Sequence, residues 1–137
     1  MREILFRGKS AEDGKWFTGQ LLHFKSPVSE KELNVIVEGC EWDDSDEWLN
    51  IGRRAKVVPE TVGQYTGLTD KNGKRIFEGD IVKAYNEHIS EVTFRFGSFC
   101  CYRQCDDTHN MLWCVSDILT VIGNIHDNPE LLKGDIK

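Results

Sequence analysis

Long apolar runs are what this sequence most clearly lacks. No stretch approaches the roughly 20 consecutive apolar residues that a membrane-spanning helix needs. The opening Met1-Arg2-Glu3-Ile4-Leu5-Phe6-Arg7 is broken by charge before the apolar segment of an export signal could form. The expectation is a cytoplasmic protein without membrane association. Helical periodicity is scarce before the C-terminus, which argues against a helical bundle. Cysteines number five (Cys40, Cys100, Cys101, Cys105 and Cys114), an odd count that favours reduced thiols over a disulfide framework. Positive charge is in deficit as well. With Lys+Arg at 17 against Asp+Glu at 23, the formal net charge is −6, which disfavours a sequence-independent grip on nucleic-acid phosphates.

What is present is ordinary globular material: 137 residues, 39% hydrophobic and 29% charged, enough for one domain, 1–137, around one core. Short stretches rich in β-branched and aromatic residues recur between Gly, Asn, Asp and Pro clusters, as antiparallel strands do. Segments 4–7 and 16–22 flank a polar link containing Asp13-Gly14 and predict an N-terminal hairpin. From 25 to 54 the regularity fails. One strand is expected there, at 34–38, inside an irregular insertion or long loop that turns strongly acidic. Residues 56–59 read as a strand stopped by Pro59, which cannot donate to a ladder, and 61–66 as another extended piece. Asn72-Gly73 supplies the positive φ angles of a tight turn, and Gly79-Asp80 opens the strand at 81–85.

In 91–96 the residues Val92, Phe94 and Phe96 alternate with polar neighbours, which predicts one buried face and one wet face. Segments 99–105 and 111–115 read as a hairpin around the polar loop 106–110, and 118–122 as a last strand. Asp127 or Asn128 can cap a short helix with Pro129 at its first position, held down by Leu131 and Leu132. The expected fold is mainly β: a small, partly open, SH3-like antiparallel β-barrel with a short C-terminal helix and an irregular insertion.

Several runs occur in a telling order: Arg2-Glu3-Ile4-Leu5-Phe6-Arg7, Gly63-Gln64-Tyr65-Thr66-Gly67-Leu68, Asp70-Lys71-Asn72-Gly73, Ile76-Phe77-Glu78-Gly79-Asp80-Ile81-Val82, and Ile122-Gly123-Asn124-Ile125-His126-Asp127-Asn128-Pro129-Glu130-Leu131. Together they resemble the YopX family of bacteriophages and prophages over almost the whole chain. The resemblance implies a small intracellular, phage-encoded β-barrel protein, and it brings no established activity. Segment 25–54 and the cysteine-bearing hairpin match no motif of that family, so a function special to this chain is expected there.

Four groups of residues could carry chemistry. The glycines of 67–79 could cradle a phosphate only if a helix followed, and none is expected, so Asn72, Gly73, Gly79 and Asp80 are read as structural turns. Cys101, Cys105, His109 and Cys114 are weak candidates for a zinc site, because their spacing fits no common knuckle and Cys100 and Cys101 point to opposite faces of a strand. The stretch Glu41, Asp43, Asp44, Asp46 and Glu47 is the densest charge in the chain. It fails as an EF-hand, since the sixth position from Asp43 is Trp48 and the twelfth is Arg54. With Trp42 and Trp48 beside it, the stretch suits docking to a basic, apolar partner, unless both indoles turn inward to anchor the insertion. His23, His88, His109 and His126 lie in separate segments, and the set Cys101, His109 and Asp106 carries little information beyond hairpin proximity.

The leading expectation is therefore an interaction module rather than an enzyme. It needs no cofactor or metal and contacts a host or phage protein through Trp42, Asp43, Asp44, Asp46, Glu47 and Trp48. Alternatives are a nucleic-acid-associated protein using Arg2, Arg7, Arg53, Arg54 and Lys56, an acidic decoy that imitates nucleic acid, and a metal-dependent enzyme at the cysteine hairpin. Open sheet edges also admit a homo-oligomer.

Overall fold

Short antiparallel strands organise the chain. The computed structural model describes residues 1–44 and 48–133. It divides into two compact units, one of Glu3–Gln64 and one from Tyr65 onward. Strands dominate both, every pairing is antiparallel, and the sheets stay open instead of closing into a barrel. The expected mainly β class with a short helix near the C-terminus is what the chain adopts. No helix among the described residues is long and apolar enough to cross a membrane.

The first unit contains β1 (Phe6–Lys9), β2 (Trp16–Lys25), β3 (Glu32–Asp43) and β4 (Trp48–Lys56), in the spatial order β4-β3-β2-β1. The expected N-terminal hairpin is β1 and β2. Its link turns at Gly14, whose φ of 72° is open to glycine at little cost, and the Gly14 N–H donates to the Ser10 carbonyl at 2.9 Å. Asp13 Oδ1 accepts the Lys15 N–H at 3.0 Å. On its other side β1 meets Gly63 and Gln64, the first residues of β5 (Gly63–Thr69). Phe17, Ile36 and Val57 form a small core with Phe6, Leu21, Ala55 and Val62 packed against it. Each such side chain contributes on the order of 1.5–3 kcal/mol on burial. Segment 25–54 is more regular than the sequence suggests. The strand expected at 34–38 is the middle of β3, and β4 is a second one. Bulky side chains pair across the two strands with acids between them, so alternation survives but looks like a charge run in one dimension.

The second unit holds β6 (Arg75–Phe77), which pairs with Tyr65 and Thr69 of β5. It also holds β7 (Asp80–Ala84), β8 (Ile89–Arg95), β9 (Ser98–Arg103), β10 (Thr108–Met111), α1 (Leu112–Val115), β11 (Leu119–Asn124) and α2 (Glu130–Lys133). The sheet runs β10-β9-β8-β7-β11. Ile76, Val82, Val92, Cys101, Leu112 and Leu119 are its core. Two local expectations change. Phe94 and Phe96 are exposed, because β8 overruns the core: only Val92 sits above it, and Phe94 packs edge-on against Phe99 at 5.1 Å instead. The return strand expected at 111–115 stops at Met111, and one helical turn follows. Leu112 and Val115 are three residues apart, and a helical turn puts both toward the core where a strand would have split them.

A carboxylate holds the 70–74 turn to the far edge of this sheet. Asp70 Oδ1 accepts the N–H groups of Asn72 and Lys74, each at 2.9 Å, and Oδ2 accepts the Val121 N–H of β11 at 3.0 Å. Gly73, at φ 83°, donates its N–H to the Asp70 carbonyl at 3.0 Å. The turn's N–H groups are thus spent inward on Asp70 and none of these is left to cradle a phosphate. At the next turn Gly79 takes φ 91°, and buried Asp80 accepts the Phe77 N–H at 2.8 Å. Burial pushes the Asp70 carboxyl up, but the N–H groups of Val121, Lys74 and Asn72 outweigh it and hold it below the ordinary aspartate range. A folded-state pKa below the unfolded one adds stability above pH ~4 that is lost as pH falls through the folded value. Asp70→Ala leaves three part-buried N–H groups without their acceptor, and chemical denaturation at pH 7 should show a loss of about 2 kcal/mol. That loss should shrink as the titration is repeated below pH 4, and a deficit that stays constant across this range would contradict the assignment.

Candidate interaction site

A group of exposed apolar side chains in the first unit begins where β2 stops supporting β3. Pairing between them ends at Gln20↔Val37. At that point two glycines admit the β3 backbone: a Cβ on Gly19 would lie 2.0 Å from the Val37 carbonyl oxygen, and one on Gly52 would lie 2.7 Å from those of Glu38 and Gly39. Gly39 itself has φ 76°. Beyond this waist, β3 and β4 continue as the two paired strands of a ribbon among the described residues, 39–43 and 48–52, with Cys40 opposite Ile51, Glu41 opposite Asn50, Trp42 opposite Leu49 and Asp43 opposite Trp48.

Opposed residues share a face. One face of the ribbon therefore carries Cys40, Trp42, Leu49 and Ile51, and the other Glu41, Asp43, Trp48 and Asn50. Exposure is 58% for Trp42, 69% for Trp48, 54% for Leu49 and 43% for Ile51. Neither indole turns inward to anchor anything. Asp44 is exposed beside them. Asp46 and Glu47, expected to complete the acidic run, lie outside the described residues. Leu49 and Ile51 were not singled out by sequence reasoning, although their alternation with Trp48 and Asn50 is a strand signal that the neighbouring acids obscure.

At the waist, Glu38 ties the ribbon to the sheet. Its Oε1 accepts the Thr18 N–H at 3.1 Å, and its Oε2 lies 3.8 Å from Arg53 Nε. The Arg53 guanidinium also covers the Phe17 ring at 4.7 Å. Arg54, the next residue along β4, projects from the opposite face, as does Lys56. On β1 and β2, Arg7 and Lys9 flank the Trp16 ring at 5.0 and 5.4 Å. The cations of this unit are thus divided between two sheet faces and partly committed to aromatic rings.

The cysteine hairpin does not assemble a reactive centre. Cys101 lies opposite Val92 in the core, whereas His109 lies opposite Tyr102 on the other face and stacks on it at 4.6 Å. Cys105 and Cys114 are exposed, on the turn and on α1. Asp106 is held by Arg103, which together with Thr108 keeps its carboxyl far below the usual range. Among the described residues no three His, Cys, Asp or Glu side chains converge on a metal-sized site. His23 is occupied with Asn34, Nδ1 to Oδ1 at 2.8 Å. Burial, helped by the neighbouring Cys100, pushes the Cys101 thiol up to about 12, so it holds no thiolate at neutral pH. Titration with a thiol reagent should label Cys40, Cys105 and Cys114 in the native protein and reach Cys100 and Cys101 only on unfolding; native labelling of Cys101 would contradict this burial.

Comparison with curated proteins finds no match. Among solved structures, the chain is similar to protein EF1440 from Enterococcus faecalis, at 25% sequence identity and a TM-score of 0.65, over 96% of this chain and 99% of that one. The YopX protein family matches residues 5–133, nearly all of the sequence read above. By that match, this chain belongs to the YopX family.

Proposed function

We propose that this protein is a binding module that engages a basic, apolar protein surface through the ribbon of β3 and β4. The observation that carries the reading is the exposure of Trp42, Leu49 and Ile51 along one face of a two-stranded arm beside which, among the described residues, no third strand pairs. An isolated hairpin gains little from holding such side chains in water, and apolar groups presented together on a surface mark contact sites. Glu41, Asp43 and Asp44 set the sign of the partner, since carboxylates around an aromatic anchor favour arginine and lysine on the opposing surface. The family resemblance suggests the setting: a phage or prophage product acting on a host or phage protein inside a bacterial cell. The divided cations make direct nucleic-acid binding the weaker reading.

Immobilised protein should retain a specific polypeptide from bacterial lysate, and added salt should weaken that retention. Trp42→Ala with Leu49→Ala removes an aromatic anchor and its neighbour, a change worth about 2 kcal/mol or roughly 30-fold in affinity. An identical set of retained proteins for parent and double variant, at equal thermal stability, would remove the ribbon from consideration.

A further inference from the structure

The outer edge of β4 has a defined, short reach. The Val57 N–H donates to the Asn34 carbonyl at 2.9 Å, so odd-numbered residues of this strand direct their backbone groups toward β3. Even-numbered residues therefore direct theirs outward. At one end that edge is closed, because the Lys56 carbonyl accepts the Ala11 N–H at 2.8 Å and Ser10 bridges Val57. What remains are the outward N–H and C=O groups of Trp48, Asn50, Gly52 and Arg54, beside which no strand lies among the described residues. These positions are symmetric about Ile51.

We propose that β4 pairs antiparallel with β4 of a second copy of this chain, centred on Ile51. It takes the ribbon of the preceding section as adhesive, and names the occupant of its edge while leaving both of its faces open. In this register Trp48 meets Arg54 of the second copy, Asn50 meets Gly52, and the sequence is reversed on the other side of the two-fold axis, so all four outward pairs of groups are satisfied at once. The axis passes between the two Ile51 side chains, which are exposed in the single chain. Each Ile51 is flanked by its own Cys40 on β3, which makes an apolar row across the junction.

Charge selects the same arrangement. The ribbon's tip is acidic, with Asp43 and Asp44, and the opposite end of β4 is basic, with Arg53, Arg54 and Lys56. Antiparallel pairing lays the acidic end of each copy beside the basic end of the other, whereas parallel pairing would set acid against acid. It also places the second copy's Arg54 on the Trp48 ring, a cation–π geometry, on the face where Asp43 stands opposite Trp48.

The register makes a sharp test. Ile51 and its symmetry mate form a non-hydrogen-bonded pair, with Cα atoms about 4.5 Å apart, at the short end of what a disulfide spans. In full-length protein with Cys40→Ser, Cys105→Ser and Cys114→Ser, the further change Ile51→Cys should give a covalent dimer under mild oxidation. Leu49→Cys in the same background should crosslink roughly tenfold more slowly, because each Leu49 faces Arg53 of the second copy. Sedimentation equilibrium of the parent should give twice the chain mass, and Ile51→Lys, which sets two ammonium groups together at the axis, should return the single-chain mass with an unchanged circular dichroism spectrum. A single-chain mass at every concentration for the parent, or equal crosslinking rates at positions 49 and 51, overturns the pairing. If that happens while capture of a lysate protein by the ribbon persists, only the self-pairing fails; a twofold mass with no capture sinks the partner reading alone.

Discussion

The first unit depends on the narrow passage that Gly19 and Gly52 leave for the β3 backbone. With the Val37 carbonyl on one side, and those of Glu38 and Gly39 on the other, no residue with a side chain fits either position without displacing main chain. Up to this waist, β3 is an interior strand with neighbours on both sides. Past it, the same strand pairs only with β4 among the described residues. The change from core to ribbon thus occurs within a few residues, and Gly39, in the left-handed region, lets the backbone redirect there. Glu38 and Arg53 then fasten the waist from one face, and Phe17 receives the guanidinium that would otherwise be loose.

The second unit rests on a different device. Asp70 gathers N–H groups from its own turn and from β11, which is distant in sequence, so a local reversal and a long-range strand position share one carboxylate. An Asp followed at two positions by Asn-Gly is a familiar turn signature. Its reach to Val121 is not encoded locally, since that depends on β11 lying against β7.

Much of the fold was legible in the sequence where the determining forces are local. Gly14, Gly73 and Gly79 mark turns because glycine takes positive φ at little cost, and the alternation along β2 follows from one buried face. The misreadings share a cause. A strand's pattern does not say how far it outruns its neighbours: β8 carries Phe94 beyond the core, and β3 carries Trp42 beyond β2. The segment after Met111 could satisfy Leu112 and Val115 as strand or helix by composition, and only the position of the core below chose the helix. For the candidate site, Trp42, Asp43, Asp44 and Trp48 were legible as one stretch, but the sequence left open whether the indoles face outward or anchor the insertion. Leu49 and Ile51 were not legible, since their facing depends on pairing with Trp42 and Cys40.

The bond from Ala11 to the Lys56 carbonyl has a consequence for solubility. A bare edge strand is a template on which further chains can stack without end. Here the template is a stub: a turn from the same chain stops it at one end, so a strand added there cannot extend its ladder past Lys56. The edge open to an added strand is thereby shortened to the stretch before Lys56.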